Sequence, residues 1–139
     1  MDLLASYGSN LEKAHEGVWI PLPDTGDKKP GSIRVARMWN PRFKEAFRKG
    51  TNVAKATTGS KALDEDDLDA ITVKCLAETI LIDWKGIRVD GKVFKYSVDN
   101  AIKLLSDPRL LDFREKVVGE ASNFQNYRLH SLEETTGKS

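Results

Sequence analysis

The chain reads as mainly α, a small helical domain of about four helices with an N-terminal β-hairpin. Three observations predict this. Asn40-Pro41 and Asp107-Pro108 each set a capping side chain before a proline at the first helical position, where the missing N–H costs nothing. Apolar side chains recur at helical spacing from Leu68 onward and again from Leu110 to Phe124. Ahead of them, Glu16 to Leu22 and Ser32 to Trp39 are short runs rich in Val, Ile and Trp, joined by a polar segment holding Pro23, Gly26, Pro30 and Gly31. Two β-formers around such a segment suggest a hairpin.

At 139 residues the chain is most simply one domain, long enough to bury roughly two thirds of its unfolded surface. Residues 1–15 lack clear periodicity and are expected to be a flexible arm or a short helix. The domain then spans 16–127, and 128–139 is too poor in apolar residues to offset ordering entropy, so a disordered C-terminal tail is expected. In the hairpin's second strand, Ile33 and Val35 fall on one face and Arg34 and Ala36 on the other. A lone two-stranded ribbon is marginal in water, so the hairpin must lie against helices.

The first domain helix starts at Asn40-Pro41, carries Phe43, Ala46 and Phe47 as its stripe, and should stop near Gly50. Residues 51–63 lack periodicity and suit a connection. Asp64, Glu65, Asp66, Asp67 and Asp69 crowd the start of the next helix, where the macrodipole favours negative charge. That helix is apolar almost all round from Leu68 to Trp84, which predicts a central, multiply packed element ended by Gly86. Asp90-Gly91 suits a tight turn, and Ser97 caps a third helix with Ala101, Leu104 and Leu105 as its stripe. A last helix from Asp107-Pro108 places Leu110, Phe113, Val117, Ala121 and Phe124 on one side.

Chemistry-bearing motifs are scarce. The formal charge of +1 gives no global field to draw nucleic acid or an anionic membrane. The acidic cluster at 64–69 lacks the glycine of a calcium loop. His15 and His130 stand far apart with no second histidine at ligand spacing. Gly137-Lys138-Ser139 would need a glycine at 132 to end a phosphate loop, and that residue is Leu. Cys75, the only cysteine, sits in the apolar helix and reads as a buried thiol. No G-x-S-x-G elbow accompanies a histidine base, so no catalytic residue, cofactor or metal is expected, and the chain is not read as an enzyme. Residues 1–6 make a poor secretory signal, and no run approaches the roughly twenty apolar residues that cross a bilayer. Arg42, Lys44, Arg48 and Lys49 make a solvated basic side of one helix without a nucleic-acid reader motif. Trp19, Trp39, Phe43 and Phe47 crowd the hairpin and first helix, and Phe124 and Tyr127 end the last one. These six are the candidate partner-binding residues, with packing of the hairpin onto the helices as the equal alternative.

Ile82-Asp83-Trp84-Lys85-Gly86-Ile87, then Asp90-Gly91-Lys92, Tyr96-Ser97, Asn100-Ala101, Leu104-Leu105 and Asp107-Pro108 form an ordered series. It resembles the tail assembly chaperones of long, non-contractile-tailed phages. Gly17 to Leu22 and Arg34 to Arg37 resemble that family's opening, so the likeness runs from Glu16 to Tyr127. The resemblance implies a chaperone in viral morphogenesis that binds the tape measure protein and helps recruit the major tail tube protein. It further implies a homo-oligomer working in the host cytoplasm and absent from the mature virion, with no nucleic-acid or membrane partner. The family often has a longer form made by programmed frameshifting, whose slippery codons can encode Gly-Lys, the pair at Gly137-Lys138. The alternative is a structural tail or head-completion protein retained in the virion.

Overall fold

The computed structural model describes residues 1–23, 30–59 and 62–129. Among these the protein is mainly α, with six α-helices and a small sheet. The helices are α1 (Leu3–Tyr7), α2 (Leu11–Glu16), α3 (Pro41–Thr58), α4 (Glu65–Thr79), α5 (Val98–Ser106) and α6 (Leu111–Ala121). The strands are β1 (Val18–Pro21), β2 (Ser32–Val35), β3 (Leu81–Lys85), β4 (Arg88–Val89) and β5 (Lys92–Val93). No helix among the described residues is long and apolar enough to cross a membrane.

The predicted hairpin forms, with β1 antiparallel to β2 and Ile20 opposite Ile33. It is not left as a ribbon. β3 pairs antiparallel with the other side of β2, setting Ile33 opposite Trp84 with a register shift at Arg34/Val35. This corrects the expectation of one helix through Trp84. A continuous apolar run fits a buried helix and a buried strand equally well, and the unpaired edge of β2 decides the matter from Leu81 onward. α4 ends at Thr79, whose hydroxyl donates back to the Cys75 carbonyl (2.8 Å), and the Ile80 carbonyl accepts from Ala36 N–H (2.9 Å). Gly86 has φ +67° as expected of a stop, but it ends a strand. Asp90 (φ +53°) and Gly91 (φ +78°) make the foreseen turn, which joins β4 to β5.

Two further expectations are corrected. α3 runs past Gly50 to Thr58, because the absent Cβ lets α4 approach: one placed there would lie 2.9 Å from Ile71 Cγ2. The last helix breaks into a 3-10 turn (Pro108–Leu110), α6, and a second 3-10 turn (Phe124–Tyr127). Asn123 caps that second turn by accepting from Gln125 N–H (3.1 Å), which swings Tyr127 inward. The segment expected as a flexible arm or a short helix, residues 1–15, carries two short helices, α1 and α2, capped by Asp2 and Asn10. Asn10 N–H donates to the Tyr127 carbonyl (2.7 Å) and Arg37 N–H to the Ala14 carbonyl (2.9 Å), so the backbone of this segment is tied to the domain. Leu129 N–H reaches the Gly8 carbonyl (2.8 Å), while the rest of the expected C-terminal tail, 130–139, lies outside the described residues.

One core unites these parts. Ile20, Ile33 and Val35 of the sheet meet Val73, Leu76 and Ile80 of α4 and its end, Ala101, Leu104 and Leu105 of α5, and Val117 and Ala121 of α6. α3 joins it through Phe43. Trp84 is buried in it and donates from Nε1 to the Phe94 carbonyl (2.7 Å), which satisfies the one polar atom its ring carries inside.

Candidate functional site

The residue between β2 and α3 is held in a costly conformation. Trp39 has φ +63°, a left-handed backbone that a bulky side chain rarely adopts. Its neighbours enforce it. Met38 N–H donates to the Ala121 carbonyl (2.9 Å), and Asn40, itself buried, donates from its side-chain amide to the Arg37 carbonyl (2.8 Å). The Asn40 Oδ1 accepts from Phe43 N–H (3.0 Å), capping α3 as its place before Pro41 foretold.

The result is an aromatic step. The Trp39 ring stands edge-on to Phe43 (centroids 4.8 Å, 82°) and to Phe47 (5.9 Å, 70°), and the two phenylalanines stack at 6.0 Å. Edge-to-face pairs of this kind fix ring orientation as well as burying area. Phe43 is in the core and Phe47 half-buried, yet Trp39 remains 54% exposed.

The other candidates stand elsewhere. Trp19 lies on β1 with Lys85 Nζ 4.3 Å over its ring, and Phe124 carries the Arg128 guanidinium at 5.0 Å. Tyr127 is wholly buried, its hydroxyl donating to the Val35 carbonyl (2.9 Å), so it offers no surface to a partner. Trp39, Phe43 and Phe47 are thus the ones brought together.

A second feature escaped the sequence reading. Along one flank of the α3–α4 pair runs a groove of about 760 Å³, lined by Ala46, Gly50, Val53, Ala54, Ala70 and Ile71. Small residues at 46, 50 and 54 keep it open. Their four-residue spacing was legible, but Gly50 read as a stop concealed it. Arg42, Lys49 and Lys74 rim the groove with Glu45 and Glu78. The Arg48 guanidinium, 2.6 Å from Glu45, holds that carboxyl below its usual range through a hydrogen bond. Cys75 also touches the groove, but burial first and the nearby Glu78 second push its thiol up, away from a reactive thiolate.

The acidic run has structural partners. Asp64 and Asp67 form a reciprocal capping box (2.8 and 3.1 Å), and Asp69 pairs with Arg114 (2.7 Å). Among the described residues no group of three or more His, Cys, Asp or Glu side chains could hold a metal. His130 and Gly137-Lys138-Ser139 lie outside the described residues.

Residues 38–138 match the family of YdaY prophage proteins, a span that takes in the aromatic step, the groove and every element from α3 onward. Neither a curated protein nor a solved structure matches the chain. The protein is phage-related and belongs to the YdaY prophage protein family.

Proposed function

We propose that this YdaY-family prophage protein is a tail assembly chaperone that binds helical segments of the tape measure protein. In this reading it keeps their apolar faces from self-associating, helps recruit tail tube subunits, works in the host cytoplasm and is left out of the virion. The observation that carries it is Trp39: a half-exposed indole on a left-handed backbone, braced edge-on against Phe43 and Phe47. Backbone strain concentrates at sites that bind or react, and a rigid aromatic anchor is what an amphipathic helix with apolar residues at helical spacing would meet. The ordered series from Ile82 to Pro108, with its likeness to tail assembly chaperones, supports the same reading. Reversible holding asks for no catalytic group, cofactor, nucleic acid or membrane.

Co-expression with the tape measure protein of the same phage tests the proposal. The expected result is a soluble tape measure protein that co-purifies with this chain, and a Trp39→Ala variant that keeps its fold but binds at least about 30-fold more weakly, the loss of one anchor. A tape measure protein that stays insoluble with no complex recovered overturns the proposal. Finding this chain in purified particles favours instead a structural tail or head-completion protein.

A further inference from the structure

The N-terminal helix exposes apolar side chains that the rest of its own chain does not cover. α1 buries none of its residues: Leu3, Leu4 and Tyr7, with Leu11 just beyond, are each between 64% and 80% exposed. A helix of five residues does not persist on propensity alone, since helices below ~12 residues are marginal in water without a packed face. Its backbone is nonetheless tied down at Gly8, and the Arg128 guanidinium donates to the Ser6 carbonyl. The apolar residues are thus presented outward on a fixed base, and they do not lie in the chain's own groove.

We propose that α1 of one copy of this chain docks in the α3–α4 groove of a second copy, joining copies head to tail. The shapes correspond, because Leu3 and Tyr7 stand four residues apart and Leu4 lies beside them, while Ala46, Gly50 and Ala54 open a slot at the same repeat. The charges correspond as well. Residues 1–16 carry Asp2, Glu12 and Glu16 against Lys13 alone. The groove's rim carries Lys74, Lys49 and Arg42, the last donating to the His15 carbonyl (3.0 Å), against Glu78 and a Glu45 shared by Arg48 and Lys49, which leaves the rim with one net positive charge.

Area sets the strength. Side chains of this size, exposed to this degree, offer roughly 400–500 Å² of apolar surface, against the ~800 Å² per partner of a standard stable interface. A single joint is therefore weak. Because the two surfaces differ, each copy can give one joint and receive another, so the contact is heterologous and extends into a ring or an open array. The aromatic step lies outside both surfaces and stays free in every copy. That such an array would grip a long client by avidity rests on the chaperone reading; the joint itself does not.

Sedimentation of the full chain from low micromolar to near-millimolar concentration tests the joint. The expected mass rises with concentration, and Leu4→Asp or Val53→Asp each raises the half-association concentration at least about tenfold with an unchanged circular dichroism spectrum. Leu4→Asp keeps a groove and Val53→Asp keeps an α1, so mixing them should restore one joint and stop at a heterodimer. A wild-type monomer throughout, association unmoved by either variant, or no heterodimer on mixing would each overturn the proposal. Trp39→Ala should leave association unchanged, which separates failure of this joint from failure of client binding.

Discussion

α5 and α3 are both amphipathic, yet they are held in opposite ways. α5 has nine residues and buries Ala101, Leu104 and Leu105, whereas α3 has eighteen and buries only Phe43. The shorter helix is wedged between α4 and α6, so its apolar stripe has neighbours on both sides. Among the described helices α3 packs extensively along α4 alone, and leaves Trp39 and Phe47 on one flank and the groove on the other. What differs is purpose: one helix completes the core, and the other presents surface. The largest test of this contrast pairs Leu105→Ala with Val53→Ala in urea denaturation. Leu105 is enclosed, and its truncation should cost about 2–5 kcal/mol, a large share of the ~5–15 kcal/mol that holds a domain together. Val53 is 67% exposed, and its truncation should stay within about 0.5 kcal/mol. Equal losses would mean that α3 is core after all.

A middle-sized effect belongs to Tyr127, which stitches the chain's end to the sheet. Tyr127→Phe removes the hydroxyl that satisfies the Val35 carbonyl and should cost about 1–3 kcal/mol. It should also change the response to alkali. Burial first, and the charge of Glu120 second, hold the Tyr127 phenol well above its ordinary value. Unfolding lowers that value to about 10, so the stabilisation from a neutral Tyr127 is complete below pH ~10 and is lost as pH rises above it. Stability of the wild type should therefore fall more steeply above pH 10 than that of Tyr127→Phe. Parallel curves would show that the phenol does not titrate on unfolding. Tyr96 is shifted the same way, by burial and then Asp83, and is common to both proteins.

The parts of this fold legible in sequence are those decided within a few residues. Asn40 before Pro41, the acidic start of α4, Asp90-Gly91 and Ser97 each do locally what their chemistry foretells. Alternation placed Ile33 and Val35 on one face of β2, and both are buried, although Ala36 on the opposite face is buried as well. What was missed depends on partners distant in the chain. β3 exists because β2 has a second edge to satisfy, and α3 outlasts Gly50 because Ile71 approaches it. Tyr127 turns inward to a carbonyl 92 residues away. The candidate site divides along the same line. The grouping of Trp39 with Phe43 and Phe47 was visible from proximity, but Trp19, expected with them, lies on β1, and the groove needed two helices laid side by side.

The smallest effect is also the most discriminating. Gly50→Ala should gain up to about 1 kcal/mol of helix propensity at an interior position, and it would set a Cβ 2.9 Å from Ile71 Cγ2. Ile71 is only half-buried and borders the open groove, so its methyl can give way, and the two terms should cancel to within about 1 kcal/mol. Ala101→Val enlarges a buried site on α5 instead. There the neighbours are packed on every side, and overpacking should cost about 1–3 kcal/mol with no propensity gain to offset it. Hydrogen exchange along α3 and α5 in the two variants would locate the strain. It should spread into α3 for Gly50→Ala and stay concentrated at α5 for Ala101→Val, because a helix held by one seam can shift while a wedged one must deform its surroundings. A penalty at Gly50 as large as that at Ala101 would mean that α3 is fixed as firmly as α5, and the groove beside it would then be a rigid slot rather than one that yields to what enters it.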